Sequence, residues 1–230
     1  MQTIDPESLT SAIQRTLAAP TYSDKYPKLP EGLKEMDPQT LAEILGLTYR
    51  GLVARRGMEF KVIPEANLPK ILNDVVGWLH RPKFRSTLFL QGAPGNGKTT
   101  VLDAVRTLYY SIGKSTVSCS GQDICEQFKR QFEGLSNKFD LYKEAGYVFI
   151  DDLGTEPLKY YLYGKEYTPV QDLLAFRYKF QLTSVISTNI PKSDIWDRYG
   201  ERIDDRFDEM CSIINFPGPS YRKLIDKPVE

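Results

Sequence analysis

Residues Gly92-Ala93-Pro94-Gly95-Asn96-Gly97-Lys98-Thr99 fit the pattern G-x-x-x-x-G-K-[ST] at every fixed position. Such a loop binds phosphate. Its glycines let successive backbone N–H groups turn toward phosphate oxygens. Lys98 supplies a point charge for the β- and γ-phosphates, and the Thr99 hydroxyl is a ligand for Mg²⁺. Gly92, Pro94, Gly95, Asn96, Gly97, Lys98, Thr99 and Thr100 are therefore the candidate contacts of a nucleoside triphosphate, with ATP and Mg²⁺ as cofactors. Some fifty residues on, an apolar run from Tyr147 to Ile150 ends in Asp151-Asp152. Asp151 is the candidate metal-holding acid, and Asp152 the group that orients and polarises an attacking water. Aspartate is one methylene shorter than glutamate, which predicts slow hydrolysis. Asn189 closes a further apolar run, where its carboxamide can reach a γ-phosphate or the lytic water.

These groups need a scaffold that brings them to one edge. The sequence predicts strands at Thr87–Gln91, Ser115–Cys119, Tyr147–Asp151, Ser184–Thr188 and Cys211–Phe216, with helices near 99–111, 122–133 and 169–180. That alternation reads as an α/β fold, a parallel sheet flanked by helices with its ligand at the carboxyl ends of the strands. Upstream, Glu7-Ser8 reads as the cap of a helix with Leu9, Ile13 and Leu17 on one face. Asp37-Pro38 caps a second, with Leu41, Ile44 and Leu45. Asn67 caps a third, whose inward positions are Ile71, Leu72, Val75, Val76 and Leu79. Prolines 20, 27 and 30 interrupt the stretch between the first two. The reading divides the chain into a helical N-terminal arm, 1–57, and a core, 58–230.

Composition limits the partners. The 230 residues carry a formal net charge of zero, so nucleic-acid contact must come from a local patch. Cys119, Cys125 and Cys211 are scattered and His80 is the single histidine, which argues against zinc and against a disulfide framework and favours a reducing cytoplasm. The first residues lack a basic and apolar leader, and no window approaches the ~20 apolar residues of a membrane span.

Asp197 to Glu209 places Arg198, Arg202 and Arg206 four residues apart, along one helical face, each able to pair with nearby acids. A solvated, salt-bridged helix has this pattern; so does one that lends an arginine finger to a neighbouring subunit's γ-phosphate. The phosphate loop, Asp151-Asp152-Leu153-Gly154, Ser187-Thr188-Asn189 and Gly200-Glu201-Arg202 with Arg206 follow one another as in a known family. Over residues 60 to 225 the chain resembles the AAA+ ATPases of the bacterial DnaC-like helicase-loader group and the related IstB-like transposon helpers.

The resemblance implies a P-loop NTPase of the AAA+ ASCE type without a separate helical lid. It implies Arg206 as the finger, Arg202 as a nearby interface arginine, Asn189 as the first sensor and Arg222 as a second. It implies a slow ATPase stimulated by oligomerisation, DNA or a partner, a homo-oligomer when ATP is bound, and a role in DNA replication. The arm would dock a replicative helicase or transposition machinery, although packing of its apolar faces on the chain's own core is the competing reading. Single-stranded DNA is a candidate partner through Lys129-Arg130 or through the tyrosine-rich Tyr160 to Tyr167 with Lys159 and Lys165, which is longer than the family's connection. Solvated surface or packing on a neighbouring subunit competes with both. A nucleotide-gated switch of a mobile element shares every motif; a small-molecule kinase would lack the acid, sensor and arginine series.

Overall fold

The computed structural model describes residues 5–18, 33–80 and 86–221. In chain order the helices and strands are α1 (Pro6–Ala18), α2 (Pro38–Arg55), α3 (Leu68–His80), β1 (Thr87–Gly92), α4 (Lys98–Ser111), β2 (Val117–Ser120), α5 (Gly121–Phe132) and α6 (Phe139–Glu144). There follow β3 (Tyr147–Leu153), β4 (Tyr160–Leu162), β5 (Lys165–Tyr167), α7 (Pro169–Lys179), β6 (Thr183–Thr188), α8 (Ile195–Tyr199), α9 (Glu201–Met210) and β7 (Cys211–Phe216). They fall into two compact units.

The first unit holds α1 to α4 and the described residues from Ile214 on. Asp5, not Glu7 or Ser8, caps α1, accepting from the Ser8 N–H at 2.9 Å. Asp37 caps α2 as its sequence suggests, accepting from the Thr40 N–H at 2.8 Å, with Pro38 at the first helical position. This helix is longer than its apolar triplet implies. It runs 18 residues and also buries Thr48, Tyr49 and Leu52. It packs on α1, α3 and α4, and α1 packs on α4. Leu9, Ile13, Leu41, Ile44 and Leu45 are all buried within this unit; the side chain of Leu17 lies outside the described residues. The apolar faces read as an arm thus rest on the chain's own helices. Helix α4 loses Val101, Leu102, Ala104, Val105 and Leu108 to the interior, so its packing depends on α1 and α2.

Five of the strands form a sheet of order β2-β3-β6-β1-β7, of which β1, β2, β3, β6 and Cys211 to Ile213 of β7 belong to the second unit. Strands β1 and β6, β2 and β3, and β3 and β6 pair in parallel. All six residues of β6 are buried, as expected for a strand covered on both faces. Phe89, Val148, Ile150 and Ile186 lie in one core with residues of α5, α6, α7 and α9. Because β1, β3 and β6 are parallel neighbours, their carboxyl ends lie on one sheet edge: Gln91 and Leu153 both register with Thr188.

Three features escape the sequence reading. Helix α6 has only six residues. The tyrosine-rich connection folds as an antiparallel hairpin, β4–β5. The arginine segment is two helices, since Gly200 at φ 81° breaks it after Tyr199. Arg198 therefore does not share a helical face with Arg206.

Arg177 of α7 is fully buried without a carboxylate partner among the described residues. Its guanidinium donates to the carbonyls of Tyr142 (3.1 Å), Lys143 (3.0 Å), Ala145 (2.8 Å) and Thr183 (2.5 Å) and to the Ser184 hydroxyl (2.8 Å). Burial pulls it down to about 10, the cost of holding the end of α6 against the start of β6 through one planar fork.

Candidate nucleotide site

Strand β1 ends at Gly92 and the chain enters the loop that α4 continues. Lys98 is the first residue of α4 and is buried. Its ammonium donates to the Ala93 carbonyl at 2.8 Å and to the Asn96 side-chain oxygen at 3.2 Å. Asn96 in turn donates to the Phe216 carbonyl at 2.9 Å, and the Tyr221 N–H donates to the Gly95 carbonyl at 2.9 Å. The loop is thus held at both shoulders by the chain beyond Ile214. Gly97 has φ 94°, and a Cβ there would stand 2.6 Å from the Tyr49 hydroxyl. Only glycine fits a position that is both left-handed and that crowded. Thr99 is half-buried in the first turn of α4. The Thr100 hydroxyl faces the other way, accepting from Arg56 at 2.8 Å, while Arg56 also pairs with Asp103 at 3.0 Å. The structure therefore gives the Thr100 hydroxyl to helix packing, where the motif alone would give it to the nucleotide.

The acidic strand end belongs to the sheet. Register slips between Ile150 and Leu153, and Asp152 takes φ 50°. This bulge re-aims two adjacent acids. The Ser187 hydroxyl of β6 donates to Asp151 Oδ1 and accepts from the Asp152 N–H at 2.9 Å. Beside it the Thr188 hydroxyl donates to the Leu153 carbonyl at 2.7 Å. Ser187 and Thr188 thus set the acids, whereas Asn189 is exposed just past the strand. The Thr99 hydroxyl in the first unit and the Asp151 carboxylate in the second are each hard oxygen donors, the type Mg²⁺ takes.

Glu156, three residues after Leu153, is buried and satisfied from three sides. It accepts from the Gly154 N–H (2.7 Å), the Tyr199 hydroxyl (2.6 Å) and Arg198 (3.3 Å), while Arg198 also donates to the Glu156 carbonyl. Burial raises the Tyr199 phenol, and the Glu156 charge adds to it. Arg198, which the sequence set in an arginine row, instead ties α8 to the loop beyond the acids. Arg206 of α9 is half-buried with its guanidinium 4.9 Å from the Tyr178 ring centroid. The side chain of Arg202 and the whole of Arg222 lie outside the described residues.

Solved structures share this arrangement of strands and helices. The DnaC helicase loader superposes with a TM-score of 0.50 at 20% identity, over 64% of this chain and 88% of that one. AMPPCP-bound DnaA from Aquifex aeolicus gives a TM-score of 0.51 at 18% identity, over 72% and 51%. DnaA bound to AMPPCP and single-stranded DNA gives 0.52 at 17%, over the same shares. The chain shares the fold of these DnaC and DnaA structures. It is an α/β fold with a parallel sheet between helices, as the motif series implied. The chain spans about half the length of the DnaA chains it matches. No protein-family model and no curated protein matches the sequence. Among the described residues no helix is long and apolar enough to cross a membrane.

Proposed function

We propose that this chain is a slow AAA+ ATPase whose nucleotide state governs assembly on DNA-replication machinery, in the manner of a helicase loader. The observation that supports it most is the Ser187 bridge, which holds Asp151 and Asp152 at a bulged strand end on the edge from which the phosphate loop departs. Lys98 would exchange its contacts within the loop for the β- and γ-phosphates, and Thr99 and Asp151 would hold Mg²⁺. The ion, when bound, neutralises charge on the phosphates. Asp152 orients the lytic water, and Asn189 lies at the neighbouring strand end to contact it. Arg206 reaches the γ-phosphate of a neighbouring copy, with Arg202 at the same interface and Arg222 as second sensor. Residues 1–57 dock the partner, which for a loader is the replicative helicase.

Mixing tests this arrangement. An arginine finger contributes ~10³–10⁵ in rate, so Arg206→Ala should bind ATP and lose stimulated turnover. Adding a Lys98→Ala variant, which has the finger but a damaged loop, should restore part of the activity at hybrid interfaces. No restoration in assemblies shown to be mixed contradicts a finger in trans. A second reading, a nucleotide-gated switch with little turnover, is favoured by the short Asp152 side chain in the glutamate position. Single-turnover hydrolysis in saturating partner separates the two.

A further inference from the structure

Hairpin β4–β5 holds aromatic rings in water at a conformational cost. Its two-residue turn is Tyr163-Gly164, with φ 49° and 76°. Turns with two positive φ values favour Asn-Gly or Asp-Gly, because Cβ crowds the following carbonyl oxygen there, a clash that Gly lacks and that Asn and Asp offset by local hydrogen bonds. Tyrosine occupies the first position, and it is 86% exposed. Tyr161 of β4 is 64% exposed, whereas Leu162 is buried. The Tyr163 ring lies on Phe132 of α5, with centroids 5.8 Å apart and planes 28° from parallel. Phe132 meets Tyr167 edge-on at 5.2 Å, and Tyr167 lies 5.3 Å from Phe128. Tyr163 is therefore the outermost plate of an aromatic stack anchored in the fold. Helix α5 carries Lys129 and Arg130, β5 carries Lys165, and Lys159 immediately precedes β4. Lys159 pairs with Glu166 at 3.1 Å, Lys129 stands 3.9 Å from Glu133, and Lys165 lies 5.4 Å from the Tyr167 ring centroid.

We infer that the hairpin tip is a stacking platform for single-stranded nucleic acid, with an unpaired base lying on the outer face of Tyr163 and the lysines beside the backbone. The tip offers a flat ring backed by a second ring, which fits a base plane and is independent of base identity. A duplex hides base faces inside its own stack, so unpaired strands are favoured. The core of a protein interface is depleted of Lys, Glu and Asp, and the tip instead presents tyrosines among lysines and carboxylates. Since Glu133 and Glu166 already hold two of the cations, stacking supplies most of the affinity and the salt dependence should be shallow. The inference names a contact for the DNA side of the proposed function, yet rests on the hairpin geometry alone.

The test is fluorescence anisotropy of the full chain with a labelled oligothymidylate of roughly 20 nucleotides and with a duplex of the same length. The parent should prefer the single strand. Tyr163→Asn, which suits the turn and removes the ring, should weaken binding about 5- to 150-fold, and Tyr163→Phe should keep it. An unfolding midpoint at or above the parent's would show that Tyr163→Asn still folds. Unchanged affinity in Tyr163→Asn, equal affinity for duplex, or no binding by the parent overturns the platform. So does altered self-association in Tyr163→Asn with its DNA affinity intact, which would assign the tip to protein contact. Titration of each protein with an ATP analogue reports on the phosphate loop separately, so failure there and failure at the hairpin are distinguishable.

Discussion

The phosphate loop and the β4–β5 hairpin both turn through positive φ, and they fill those positions in opposite ways. Gly97 sits at φ 94° with the Tyr49 hydroxyl filling the space where a Cβ would go. The loop is braced by Asn96, Tyr221 and the helices beneath α4. At the hairpin, Tyr163 accepts a left-handed backbone and keeps its ring in water. The first choice follows from folding: no other residue fits. The second does not, and a side chain the fold does not require points to something outside the fold. Asp152, at φ 50° on its bulge, belongs with Tyr163 in this respect.

The largest expected effect comes from removing what braces the loop. A chain starting at residue 58 lacks α1 and α2, whose buried leucines and isoleucines contribute about 1.5–3 kcal/mol each. Against a net stability of ~5–15 kcal/mol, it should fail to fold. A soluble, ATP-binding truncation would return these helices to the role of a detachable arm. Next, Glu156→Ala leaves Arg198 and the Gly154 N–H without their buried acceptor and should cost about 3–5 kcal/mol. Glu156→Gln keeps one acceptor oxygen and should cost less; chemical denaturation measures both.

Gly97→Ala forces the left-handed backbone and the 2.6 Å approach together, for about 1–2 kcal/mol from the backbone alone. Adding Tyr49→Phe should recover the crowding and leave the backbone cost, a coupling that a double-mutant cycle reads directly. Tyr163→Asn should have the smallest effect on stability, unchanged or about 1 kcal/mol higher. Equal losses at Gly97 and Tyr163 would erase the distinction between the two turns.

What the sequence made legible shares one property: the signal is local. The loop spacing is itself a backbone requirement, and the strands announce themselves as apolar runs, so Lys98, Thr99 and Asp151 could be placed from residues alone. The Ser187 contact with Asp151 depends on β6 lying beside β3, a pairing across 36 positions that no local pattern encodes. The Glu156–Arg198 tie likewise joins residues 42 apart. Four-residue spacing puts Arg198 in a row with Arg202 and Arg206, but Gly200, a helix breaker, separates α8 from α9. Helix α6 and strands β4 and β5 are too short for periodicity to register, at six, three and three residues.

The central claim is that this loop holds a nucleoside triphosphate. Calorimetric titration of the full chain with a non-hydrolysable ATP analogue and Mg²⁺ tests it most directly. Lys98→Ala removes the charge-assisted hydrogen bonds to the phosphates and should weaken binding by about 1.5–3 kcal/mol, roughly 10- to 150-fold. Equal affinity of the parent and Lys98→Ala, or no binding by a folded parent, would contradict the account.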